Sequence, residues 1–205
     1  AGPLHRSCEQ GQLQVVNYLT EVMANPQKAD LNGTRPLHLA ALHGQLEVVR
    51  VLVAAGAQKD TADQHGALPL HMAALNGETE VVRFLVEAGD ELDAMGGLGA
   101  TALHIAAERG HGSLVRYLLE VKASAQKANQ RGKMALHMAA LSGHVEILQL
   151  LVSEGVDIDQ LDQQGTTALW LASKQGHLSA VAFLLEAKAS TENLQLGAKD
   201  SPLHQ

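Results

Sequence analysis

One short phrase recurs through this chain at a spacing that almost never varies. Arg35 to Ala40 (RPLHLA), Leu68 to Ala73 (LPLHMA), Thr101 to Ala106 (TALHIA), Met134 to Ala139 (MALHMA) and Thr167 to Ala172 (TALWLA) are variants of it. His5, His38, His71, His104, His137 and Trp170 stand 33 residues apart, and only the step to His204 is 34. A period of this length marks a segment too thin to bury its own apolar face, so neighbouring repeats must stack to build a core. Length here counts repeats rather than domains.

Each repeat is derivable locally. Asp30-Leu-Asn-Gly33, Asp63-Gln-His-Gly66, Asn129-Gln-Arg-Gly132 and Asp162-Gln-Gln-Gly165 place a side-chain acceptor three residues before a glycine, which is turn chemistry. Thr101, Thr167 and Ser201 are expected to cap a helix, with Pro36, Pro69 and Pro202 at its first position. That first helix is short, ending at Gly11, Gly44, Gly77, Gly110, Gly143 and Gly176. A second helix follows with an apolar stripe at i, i+3 and i+4, as in Val48, Val49, Leu52 and Val53 or Leu114, Val115, Leu118 and Leu119. Ala40, Ala73, Ala106 and Ala139 keep the first helices slim enough for the next repeat to approach. Apolar residues at 46% with only 2% aromatics suit such thin packing.

The TPLHxA-type phrase at period 33 resembles the ankyrin repeat, and the resemblance covers the whole chain. It implies an all-α ankyrin-repeat solenoid: an elongated, right-handed stack of helix-turn-helix repeats with β-turn or hairpin connections. The expected organisation is a single domain over 1–205. It comprises a partial repeat at 1–29, full repeats at 30–62, 63–95, 96–128, 129–161 and 162–194, and the start of a truncated one at 195–205. The chain reads as part of a longer array, with its one-residue excess between Asn193 and Ser201.

Several departures are expected to weaken particular repeats. Arg35, Leu68 and Met134 replace the capping threonine, at about 1 kcal/mol each. Gly96-Gly97-Leu98-Gly99 lacks the turn acceptor, and Lys122 and Lys188 replace a glycine after the second helix, so fraying is expected there. Trp170 stands where histidine is expected, and an indole donates a hydrogen bond but accepts none.

Register decides most chemical questions. The resemblance implies that the phrase histidines bond turn backbone of the next repeat. His111, His144 and His177 follow the helix-ending glycine, leaving only His43 and His65 outside repeat columns. One cysteine and no tight His/Cys cluster give zinc no ligand set, so no metal and no cofactor are expected. The glycines around Leu98 lack the strand and lysine of a phosphate loop, and Asp157, Asp159 and Asp162 lack the spacing of a calcium loop. Cys8 holds a column filled elsewhere by Ala41, Ala74, Ala107 and Ala140, which reads as a small buried side chain. Nothing assembles a nucleophile, base and oxyanion site, so an enzyme is not expected. Alanine-rich packing also argues against a small-molecule pocket.

Fifteen Lys and Arg against 22 Asp and Glu leave a net charge of −7, without a basic run for nucleic acid and without an apolar span for a membrane. A lone cysteine fits a reducing compartment, cytoplasmic or nuclear. The resemblance implies a protein-binding scaffold or signalling module using a concave surface of turn tips and first helices. Carried over column by column, the face comprises Leu31, Asn32, Leu42, His43, His65, Leu75 and Asn76, then Leu98, Glu108, Arg109, Arg131, Lys133, Leu141 and Lys174. Leu31, Leu42, Leu75 and Leu98 are expected as apolar anchors, and Arg109, Arg131, Lys133 and Lys174 as a basic strip. An alternative is a regulatory segment acting on its own longer chain. Self-association is expected through the stripe of Leu178, Val181, Leu184 and Leu185. Family members are also hydroxylated on an asparagine after the second helix. That column reads Gln27, Asp60, Asp93, Gln126, Asp159 and Glu192, so no asparagine modification is expected there.

Overall fold

The computed structural model describes residues 2–22 and 25–191. Every element among them is helical apart from turns, and twelve α-helices alternate in two series. The first helices are α1 (Pro3–Glu9), α3 (Pro36–Leu42), α5 (Pro69–Asn76), α7 (Ala102–Arg109), α9 (Ala135–Ser142) and α11 (Ala168–Gln175). The second helices are α2 (Leu13–Glu21), α4 (Leu46–Ala54), α6 (Thr79–Glu87), α8 (Gly112–Glu120), α10 (Val145–Ser153) and α12 (Leu178–Glu186). Both series begin afresh every 33 residues, which is the period of the sequence. The expected all-α repeat solenoid is the fold observed. Ser201, Pro202 and His204, the truncated repeat at 195–205, Glu192 and the one-residue excess lie outside the described residues.

The chain divides into two compact units, Ala1–Gly97 and Leu98–Gln205. In the first, α3 packs between α1 and α5 while α4 packs between α2 and α6. In the second, α9 packs between α7 and α11 and α10 between α8 and α12. The close approach of first helices rests on alanine: Ala40 and Ala73 in one unit, Ala106 and Ala139 in the other, are fully buried. Leucines of the second helices supply the thickness, with Leu52, Leu85, Leu118 and Leu151 shut off from solvent. Each such side chain contributes about 1.5–3 kcal/mol by leaving water.

Helix ends follow the glycines. Gly77, Gly110, Gly143 and Gly176 cap their helices at φ 74 to 82°, a conformation that a side chain disfavours. After the second helices, Gly56, Gly89 and Gly155 do the same at φ 85, 93 and 77°. Lys122 and Lys188 occupy that column at φ 70 and 66°. Their helices end as the others do: Lys122 N–H reaches Leu119 C=O at 3.0 Å and Ala123 N–H reaches Leu118 C=O at 2.8 Å. The expected fraying is not what the backbone shows. Both lysines keep every bond and hold the left-handed conformation as local strain.

The capping expectation also needs correction. Thr167 does cap α11, accepting from Trp170 N–H at 3.2 Å. Thr101 does not cap α7; its hydroxyl lies 2.9 Å from His104 Nδ1. Arg35 is more than a lost cap, because its guanidinium donates to Gly33 and Ala62 carbonyls at 3.3 and 3.2 Å. Met134 is buried, adding apolar contact in exchange for the hydroxyl.

Candidate functional site

The turns that carry the candidate site are built from one acceptor each. Asp63 Oδ1 accepts from His65 and Ala67 N–H at 2.9 and 2.8 Å, and Asp162 Oδ1 from Gln164 and Thr166 N–H at 2.9 Å. Asp30 and Asn129 repeat the pattern. Successive tips are then joined main chain to main chain. In the first unit Gln64 N–H donates to Asn32 C=O at 3.1 Å. In the second, Gln130 N–H donates to Leu98 C=O at 3.0 Å and Gln163 N–H to Arg131 C=O at 3.1 Å. Within each unit the tips therefore form a fixed row joined through main-chain atoms.

Below the tips His5, His38 and His104 reach the turn of the next repeat as expected from register. In α3, His38 Nδ1 accepts from Arg35 N–H at 3.3 Å while Nε2–H donates to Ala67 C=O, a turn of the next repeat, at 3.1 Å. His5 makes the same pair with Gly2 and Thr34, and His104 with Thr101 and Lys133. His71 and His137 depart from the expectation, reaching Ala94 and Gln160 at the ends of their own repeats at 3.0 and 2.9 Å. A carbonyl only accepts and Nδ1 is receiving an N–H, so the ring is neutral with its proton on Nε2. Burial accordingly holds His38, His71 and His137 below the ordinary value of 6.5, although the carbonyl bonds and nearby Asp63 or Asp162 oppose the shift. His144 and His177 form a second ladder, donating from Nε2 to Glu108 and Leu141 carbonyls at 3.1 and 3.0 Å. These carbonyls belong to the last turns of first helices, whose own partners are missing.

The carboxylates that superficially suggested a calcium loop are likewise used locally. Asp157 Oδ1 accepts from Asp159 N–H at 3.0 Å, and Asp159 Oδ1 from Ser190 N–H at 2.8 Å. Cys8 is wholly buried, and burial pushes its thiol up to about 12. At that value it is not a thiolate nucleophile at neutral pH.

The predicted face residues separate by environment. In the first unit, Leu31 is 99% exposed, and Asn32, His43 and His65 are also exposed. Leu42 and Leu75 are only half-buried neighbours of the core, and the Leu42 carbonyl receives the Asn76 amide at 2.8 Å. Both present less surface than Leu31. In the second unit, Leu98 is 61% exposed on a turn held at φ 58°, and Glu108, Arg109 and Arg131 are exposed. Leu141 is half-buried. Lys133 departs from the expected strip: its side chain is 13% exposed and its ammonium lies 3.9 Å from buried Asp162 Oδ2. Lys174 sits over the Trp170 ring at 4.8 Å, so the misfit tryptophan gains a cation on its face. The self-association stripe is interrupted, since Leu184 is fully buried and only Leu178 and Leu185 are exposed.

Sequence reasoning missed the Lys133–Asp162 pair and a second one, Lys59–Asp90 at 2.9 Å. The available signal was opposite charge about one period apart. It also missed an open groove of about 870 Å³ in the first unit, between the loops that follow α4 and α6. This corrects the expectation that alanine-rich packing leaves no pocket. No helix among the described residues is long and apolar enough to cross a membrane.

Comparison with known proteins places this geometry in context. A family model described as ankyrin repeats (3 copies) matches residues 2–63, 59–129 and 103–200. No curated protein sequence gives a significant match. Among solved structures, the ankyrin repeat domain of human ASB11 is similar, with a TM-score of 0.85 and 26% identity over 94% of this chain and 86% of that one. In all, 583 solved chains match, so the architecture by itself selects no partner.

Proposed function

The chain belongs to the ankyrin-repeat family, whose repeats are generally protein-interaction modules, and from that premise we propose that it is a non-catalytic scaffold or adaptor binding a protein partner through turn tips and first helices. The observation that carries this reading is the row of tips: main-chain bonds fix each tip, while Leu31, Asn32 and His65 in one unit and Leu98 and Arg131 in the other project into solvent. Such a row is preorganised, so a partner meets side chains whose backbone has already lost its freedom. The first unit offers Leu31 as an apolar anchor flanked by Asn32, His43 and His65. The second offers Leu98 together with Arg109 and Arg131, exposed guanidiniums that suit carboxylates on a partner. The buried cysteine is compatible with a reducing compartment such as the cytoplasm or nucleus.

Affinity capture from cell lysate tests the proposal. A partner retained by the parent chain should be lost when Arg109 and Arg131 both become glutamate, with circular dichroism unchanged. Equal retention by parent and variant would reject the basic part of this face.

A further inference from the structure

The groove between the two loops of the first unit is distinct from the proposed binding face, since none of Leu31, Leu42, His65 or Leu75 lines it. Its volume lies within the range of about 300–1,000 Å³ usual for ligand sites. The wall is aliphatic where it meets solvent: Val53 and Leu68 are half-buried, and Met95 is 51% exposed. An exposed methionine on an apolar wall is an adaptable contact for varied side chains.

Charge gives the groove a sign. Its lining carries one cation, Lys59, against Asp60, Asp90 and Glu91. The cation is consumed internally: Lys59 Nζ donates to Ala88 C=O and lies 2.9 Å from Asp90 Oδ1, with both side chains largely covered. Burial raises the Asp90 carboxyl above its ordinary value, opposed by the bond and charge of Lys59. Asp60 and Glu91 remain exposed, and neither forms an ion pair among the described residues. The free charge of the groove is therefore negative beside an aliphatic wall.

We infer that this groove receives a short basic-aliphatic segment of a partner protein, its Lys or Arg meeting Asp60 and Glu91 and an adjacent aliphatic side chain lying on Met95, Leu68 and Val53. Opposite charge and apolar wall are then satisfied by neighbouring residues of one extended peptide. An acidic peptide meets two exposed carboxylates and is refused.

A phage-displayed library of random 12-residue peptides, panned against the whole chain, tests the inference. Enriched sequences should carry Lys or Arg within two positions of Leu, Ile, Met or Phe. Synthetic versions should shift the methyl NMR signal of Met95, assigned with Met95→Leu. Their affinity should fall at least tenfold for Asp60→Lys/Glu91→Lys and stay within twofold for Arg109→Glu/Arg131→Glu, circular dichroism confirming that both variants are folded. The inference is overturned by no enrichment, by an acidic or uncharged consensus, or by equal affinity for the Asp60→Lys/Glu91→Lys variant. It is equally overturned if butylamine moves the Met95 signal and no peptide does, because the groove is then a small-molecule site.

Discussion

The phrase histidines are useful to the fold only while neutral. Each buried ring takes one main-chain N–H on Nδ1 and gives Nε2–H to a main-chain carbonyl, so a second proton removes one of the two bonds. For His38, His71 and His137 the folded pKa lies below 6.5, so as pH falls through 6.5 the unfolded chain binds protons that the folded chain refuses. Stability contributed by these rings is present above 6.5 and is lost progressively down to the lowered folded values. Urea midpoints measured from pH 8 to pH 5 should fall on the acid side of 6.5, and replacing His38 and His137 together by glutamine should flatten that fall. A midpoint independent of pH would refute the neutral-ring account. The lysines at positive φ give a second residue-scale prediction. Lys122→Gly should stabilise the chain by roughly 0.5–1 kcal/mol, because glycine occupies the left-handed region without the usual penalty of about 1–2 kcal/mol. A loss of thermal stability in that variant would show that the Lys122 side chain contributes more than its backbone costs. The histidine columns were legible from register alone. The Lys133–Asp162 contact was not, because a column states where a residue sits in its repeat and not which way a flexible side chain turns.

At the scale of the helix, slimness is the property that stacking requires. Ala139 is fully buried on α9, which packs against α7 on one side and α11 on the other. Ala139→Leu should cost about 1–3 kcal/mol by overpacking, seen as a lower urea midpoint; an unchanged midpoint would show that the first helices have room to separate. Helix starts and stops were readable because proline, glycine and the apolar stripe act within a few residues of themselves. Capping was less so. The sequence suggested a hydroxyl cap at Thr101, whereas the ring four positions into the phrase supplies the acceptor for the N-cap N–H, and Thr101 turns its hydroxyl to that ring instead. Where Trp170 removes the acceptor, Thr167 reverts to ordinary capping. The groove of the first unit was illegible for a different reason: it lies between loops of successive repeats, and no local pattern describes the space left between them.

For the molecule as a whole, a stack stabilised by nearest-neighbour interfaces should not lose its structure uniformly. The chain has a single tryptophan, Trp170 on α11 in the second unit, which gives a local reporter without labelling. Leu37 is 1% exposed on α3 in the first unit, and Leu37→Ala should remove about 2–5 kcal/mol there. Helicity followed by circular dichroism should then begin to fall at lower urea, while the Trp170 fluorescence midpoint moves less. Identical shifts by both probes would establish one fully cooperative transition.

The row of turn tips is held by carbonyls and amides, atoms that every residue type other than proline provides alike. Residues 31, 32, 64, 65, 130, 131, 163 and 164 are thereby released from any duty to the architecture, provided that the acceptor and glycine on either side of them are kept. Such a surface is evolvable in a literal sense: mutation at the tips changes what the molecule shows to solvent and leaves the folding code untouched. New surface chemistries become reachable by single steps, none of which passes through a misfolded ancestor.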